Sequence, residues 1–158
     1  MALDLIDELL GVVRCLGSAG VGYAVCGGLA VTIHGAVRTT RDIDVLVAPE
    51  DADRAVESLA QAGFVHAALP MVFGAGTPAE REIRRVSKIV EGQVRTVDLL
   101  LATGALRPML DGRTAVSWAD VALQVVSLED LMAMKRLAGR HQDLADVERL
   151  EAVAHERR

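Results

Sequence analysis

Three carboxylates and a pair of glycines define the chemistry open to this chain. Asp42 and Asp44 stand two residues apart in Asp42-Ile43-Asp44-Val45, and Asp98 lies inside a second apolar run, Thr96-Val97-Asp98-Leu99-Leu100. Successive side chains on a strand point to opposite faces, so Asp42 and Asp44 emerge on one side and Ile43 on the other. Two carboxylates this close repel, and both stay ionised only in water or beside a cation. Mg²⁺ relieves the repulsion, taking one or two protein carboxylates and completing its octahedron with water and phosphate oxygens. Asp98 on a neighbouring strand would let two ions sit side by side, about 4 Å apart, to activate an attacking hydroxyl and steady a leaving pyrophosphate. Gly27-Gly28 closes a short apolar run and opens a helical one. Glycines there let backbone N–H groups approach a phosphate at a helix N-terminus.

Each piece alone has a plainer reading. A Gly-Gly pair usually marks a turn, and two acids two apart usually mark a cap or a solvated strand end. Asp98 is harder to dismiss, because an ionisable group between Val97 and Leu99 needs a partner or an outward-facing position. The order decides: strand, Gly-Gly, helix, Arg38-Thr39-Thr40-Arg41, strand with paired acids, helix, strand with a third acid. A phosphate cradle with three acids is the minimum set for metal-assisted nucleotidyl transfer.

The apolar spacing indicates the elements that must hold these residues. Residues 3–17 carry Ile6, Leu9, Leu10, Val13 and Leu16 at helical spacing, with acids in the first turn, and the glycines of 17–20 break the helix. Residues 22–26 form a strand that Gly27-Gly28 turns into a helix over 29–34, closed by Gly35. A strand over 42–47 ends at Pro49, and a third helix begins at Asp51. A short strand is expected at 64–67, 69–78 reads as a loop with two glycines and two prolines, and within it 73–77 reads as a mobile stretch that could cover a nucleotide. Residues 85–90 and 94–101 form a hairpin joined at Glu91-Gly92-Gln93. Residues 104–120 read as irregular or weakly helical, and 123–126 as a last strand. Ser127, with Asp130 three residues on, caps a helix that Gly139 closes, and a final helix spans about 142–154. With no repeat or linker, the expected fold is α/β (α+β): one domain over 1–158, a mixed β-sheet flanked by helices, with a C-terminal helical pair.

Composition sets the limits. A chain of 158 residues with 51% hydrophobic and 25% charged residues is globular, and 3% aromatics leave the core to Leu, Val, Ile and Ala. No apolar run is long enough to span a membrane, and an acidic N-terminus does not read as a signal peptide. Cys15 and Cys26 share no metal-ligand spacing and read as free thiols of a reducing, cytoplasmic setting. The net charge of −5 argues against general coating of nucleic acid. Arg81, Arg84, Arg85, Lys88 and Arg95 nonetheless cluster against only Glu82 and Glu91. That cluster is either a solvated face, the plainer reading, or a receiver for a triphosphate or RNA end. His34, next to Gly35, reads as a core histidine, and no Ser/His/Asp or Cys/His nucleophilic set stands out.

The pattern GG-x-A-x(3)-HG-x(2)-R-x-T-x-D-I-D resembles the nucleotidyltransferases of the DNA polymerase β superfamily, and most closely their small bacterial AbiEii-type (toxin) branch. The resemblance implies a minimal nucleotidyltransferase core over about 1–103 and a helical extension over about 104–158. It implies that Gly27 and Gly28 bind nucleotide phosphates, and that Asp42, Asp44 and Asp98 are catalytic and bind Mg²⁺, two ions with Mn²⁺ as a substitute. MKRLAGRHQDLAD is similar to the C-terminal motif of that branch, which assigns Lys135 to the triphosphate. Arg38 either helps there or neutralises the acids. Gly28 stands where many relatives carry Ser. The implied activity moves an NMP from an NTP to an acceptor hydroxyl or phosphate (an RNA end such as tRNA, a protein, or a small molecule), releasing pyrophosphate. The chain has no separate acceptor domain, which leaves room for a homodimer or a cognate partner protein. Two rivals belong to other classes: a non-catalytic binding protein of the same fold, such as a toxin–antitoxin component, and a smaller-than-usual metal-dependent glycosyltransferase.

Overall fold

The computed structural model describes residues 2–118 and 120–157. Its described residues form one mixed eight-stranded sheet with helices packed around it. Helix α1 (Ala2–Ser18) leads into β1 (Tyr23–Cys26), α2 (Gly27–Ile33), β2 (Ile43–Val47) and α3 (Ala52–Leu59). Then come β3 (His66–Ala67), β4 (Met71–Phe73), β5 (Arg81–Val90), β6 (Gln93–Leu101) and α4 (Arg107–Asp111). The chain closes with β7 (Thr114–Trp118), β8 (Val121–Val125), α5 (Leu128–Ala138) and α6 (His141–Glu156). The sheet order is β3-β5-β6-β2-β1-β8-β7, with β4 also on β5.

The central strands β2 and β6 run parallel, and Val45, Leu46, Val47, Val97 and Leu99 are fully buried. Near-continuous Val/Leu runs of this kind belong to strands covered on both faces. Leu9, Val12 and Leu16 of α1 are wholly enclosed, so Val12 takes the place expected of Val13, while Ile6, Leu10 and Val13 are half-buried. His34 is the core histidine expected, its Nε2 2.8 Å from the Val126 carbonyl oxygen. Ser127 Oγ accepts from the Asp130 N–H at 3.1 Å, and Gly139 ends α5 in the left-handed region. Among the described residues no helix is long and apolar enough to cross a membrane.

Two segments differ from expectation. The loop over 69–78 contains β4, three residues that hydrogen-bond along β5. Its flanking Pro70 and Gly74 read as breakers, while its pairing comes from a partner strand rather than from local pattern. The stretch over 104–120 holds α4 and then β7, which pairs along β8. Strand β7 is mostly exposed and lacks strict alternation, so nothing local announces it. The β5–β6 hairpin is also longer than expected, and its turn is Glu91-Gly92 alone, both residues at positive φ. That is the two-residue turn whose twist matches the strands.

Candidate active site

Strand register builds the site as one row across the sheet. Cys26 of β1 lies opposite Asp44 of β2, Asp44 opposite Asp98 of β6, and Asp98 opposite Arg85 of β5. Cross-strand neighbours share a face, so Asp44, Asp98 and Arg85 project together. Asp42 stands just before β2 and is exposed, and α2 starts directly after Cys26. Asp42, Asp44, Asp98, Gly27, Gly28, Arg38 and Lys135 all line one cavity of about 1090 Å³. The sequence reading thus brings its seven residues to a single place.

The glycines are there for space. Gly27 has φ +66, and a Cβ on it would run into the Asp44 carboxylate. A Cβ on Gly28 would stand 2.8 Å from both Cβ and Oγ1 of Thr40 and 2.9 Å from Arg38 Nη1. The side chains of the 38–41 segment therefore fill the volume a serine would take.

The acids differ in their surroundings. Burial, then the charges of Asp98 and Asp42, push Asp44 up to about 7, against the opposing pull of Lys135 and Arg85. Asp98 is 6% exposed, and Arg85 Nε and Nη2 donate to its two oxygens at 2.7 and 2.9 Å. Burial, with Asp44 beside it, pushes the Cys26 thiol well up, so it is an inert core group rather than a nucleophile.

Lys135 is not free in the cavity. Its Nζ lies 3.1 Å from Asp146 Oδ2 and 3.4 Å from Asp143 Oδ1. Arg38 Nη1 also sits 3.1 Å from Asp146 Oδ2, without a well-aligned hydrogen bond. Arg140 donates from Nε to Asp143 Oδ2 at 2.7 Å. Burial alone would push Asp143 up, but the Arg140 hydrogen bond and the charges of Lys135 and Arg140 outweigh it and hold the carboxyl low. Two buried acids of α6 thus fix the cations that reach toward the acids of the sheet.

The basic cluster of β5 divides by strand period. Arg84 pairs with Asp53 of α3 at 3.1 Å and Lys88 with Glu8 of α1 at 2.7 Å, on the helix-covered face. Arg81 and Arg85 face the cavity, with Arg81 stacked over Phe73 at 5.5 Å.

A divalent cation suits this donor set at Asp42 and Asp44: two acids, one of them pushed up to about 7 by burial and then by its acidic neighbours, are relieved by positive charge. As the side chains stand, no three His, Cys, Asp or Glu among the described residues are gathered to hold an ion. Asp98 instead gives both oxygens to Arg85.

An α+β sheet that sets acids beside a Gly-Gly helix start defines a nucleotidyltransferase of the DNA polymerase β superfamily. The chain belongs to the aminoglycoside-2''-adenylyltransferase family, whose sequence profile matches residues 8–150; the AbiEii-type branch is not the family shown. No protein of curated function matches the sequence. Three solved structures share the fold. A lincosamide antibiotic adenylyltransferase, LnuA, solved with lincomycin bound, is 14% identical with TM-score 0.59, covering 93% of this chain and 96% of its own. A Thermotoga maritima protein assigned to the nucleotidyltransferases is 16% identical with TM-score 0.64, covering 99% and 96%. ANT(2'')-Ia, solved with adenylyl-2''-tobramycin, is 10% identical with TM-score 0.59, covering 96% and 93%. The protein is accordingly a nucleotidyltransferase enzyme.

Proposed function

We propose that the protein transfers AMP from ATP to a hydroxyl of a small molecule, with Mg²⁺ or Mn²⁺ as its cofactor. The observation that carries this reading is the sheet row that sets Asp44 and Asp98 side by side, next to the Gly27-Gly28 turn, in one cavity. Asp42 and Asp44 would hold the ion, whose chemistry is to draw charge from the triphosphate and orient it for in-line displacement. Gly27 and Gly28 offer backbone N–H groups to phosphate oxygens, and Arg38 and Lys135 turn remaining N–H donors toward the same anion. Asp98 keeps acceptor capacity beyond its two bonds to Arg85 and takes the proton of the attacking hydroxyl. In the transfer the acceptor oxygen bonds to the α-phosphorus, the bond from that phosphorus to the bridging oxygen breaks, and pyrophosphate leaves with the electron pair.

A small acceptor fits the cavity better than a nucleic acid does. Phe73, Leu131, Met134 and Leu137 give it an apolar wall, and the net charge of −5 disfavours a polyanion. The neighbours solved with lincomycin and with adenylylated tobramycin point the same way. The test is pyrophosphate release with each NTP, Mg²⁺ and a panel of hydroxylated small molecules including both antibiotics. Acceptor-dependent release, fastest with ATP and absent in Asp44→Asn, is the expected result. Folded wild-type protein that binds no NTP would return the non-catalytic reading.

A further inference from the structure

The third carboxylate of the site is matched by a cation of the chain itself. Arg85 grips Asp98 through two parallel hydrogen bonds of 2.7 and 2.9 Å, the fork geometry that fixes a carboxylate as well as attracting it. The pairing is built into the sheet, because Arg85 and Asp98 are direct cross-strand partners. Asp98 is 6% exposed, whereas the Arg85 side chain is 43% exposed and lines the cavity. The guanidinium is therefore the solvent-facing member of the pair, and Asp98 its enclosed one. A second ion held jointly by Asp44 and Asp98 would sit against this fixed positive charge, and like charges a few Å apart in a half-buried site repel. Before nucleotide enters, one divalent ion and one guanidinium balance three ionised acids, while two ions would leave the site positive.

We propose that Arg85 takes the place of a second metal: the protein loads one divalent ion, on Asp42 and Asp44, and the guanidinium on Asp98 supplies the other positive charge. This rests on the nucleotidyl-transfer reading and replaces the two ions that the sequence resemblance implies by one. Arg85 is in this account a positioning residue, acting through Asp98. It fixes where that carboxylate points while leaving it able to accept a proton.

The experiment counts bound Mn²⁺ by electron paramagnetic resonance, in the presence of an ATP analogue with a non-cleavable α,β-methylene link. Wild type should retain one ion per chain and Arg85→Gln two, with Arg85→Lys retaining one. Two ions in wild type, or one in folded Arg85→Gln, would overturn the proposal. Should Arg85→Gln not fold, the wild-type count still decides, together with the Arg85 Nε–H resonance recorded as Mg²⁺ is added. That resonance should keep its hydrogen-bonded position, and its displacement on loading would overturn the proposal. Failure of folded wild type to retain any Mn²⁺ with the analogue would overturn the parent reading and this one with it, whereas two ions overturn this one alone.

Discussion

At the residue scale the site is governed by what two glycines leave empty. Gly27 combines φ +66 with an added-Cβ position that collides with the Asp44 carboxylate. Gly27→Ala should therefore cost about 1–3 kcal/mol of stability in urea denaturation and abolish Mg²⁺-dependent NTP binding. At Gly28 the obstacle is Thr40, 2.8 Å from an added Cβ. Gly28→Ser should weaken NTP binding about tenfold, on a coupling of roughly 1–2 kcal/mol between touching residues. Thr40→Ala in the same chain should recover most of that loss in calorimetric titration; an unchanged affinity in the double variant would locate the defect elsewhere. Asp44 adds a pH signature. Its folded pKa of about 7 lies above the unfolded value of about 3.9, so the folded chain holds a proton that the unfolded chain has released. The stability contributed by protonated Asp44 is complete below about pH 4 and drains away as pH rises to about 7. Melting temperatures in EDTA should carry this downward component in wild type and lack it in Asp44→Asn. Added Mg²⁺, which needs the ionised acid, should raise the wild-type melting temperature more at pH 8 than at pH 5.

At the element scale the C-terminal helices act as an electrostatic brace. Asp146, at 0% exposure, receives Lys135 of α5, Arg149 of its own helix and Arg38 of the 38–41 segment. Removing one partner from a buried ion cluster leaves uncompensated charge, so Asp146→Ala should cost about 3–5 kcal/mol, seen as a lowered urea midpoint. Lys135 was legible in the sequence as a cation near the site, yet nothing in its spacing showed that two acids one helix away hold it. The hairpin shows the same limit more sharply. A three-residue turn at 91–93 pairs residue 90 with residue 94, which sets Val86 opposite Asp98. The true two-residue turn pairs Val90 with Gln93, and five residues back along each strand it sets Arg85 there. One residue of register flips a strand's faces, so Arg85 stayed hidden within a basic cluster although Asp98 itself stood out. The Asp42–Asp44 pair and the Gly-Gly turn were legible because their geometry is local. Strands β4 and β7 were not, since each is held by a neighbour rather than by its own pattern.

At the scale of the whole molecule, the site belongs to no single element. Asp44 and Asp98 come from β2 and β6, Asp42 from the residue before β2, its arginine from β5, its phosphate turn from the start of α2, and its wall from α5 and α6. Each of these elements also buries part of the core: Val45 and Leu99 lie behind the acids, and Leu131 belongs to both wall and core, all at 0% exposure. A ligand that bridges them is therefore linked to global unfolding, because the unfolded chain offers no such convergence. Binding to the folded state alone at a hundred times the dissociation constant adds about 2.7 kcal/mol. For a chain of this size that corresponds to a rise of about 5–10 °C in melting temperature. ATP with Mg²⁺ should give this rise in wild type. Asp42→Asn/Asp44→Asn should lose nearly all of it while keeping, in EDTA, a melting temperature at or above that of wild type, since the double variant no longer crowds charges behind the turn. A double variant that ATP and Mg²⁺ stabilise as much as wild type would mean that the nucleotide is held without these acids, and the site would have to be sought elsewhere, for example in a second cavity beside Trp118 and Arg95.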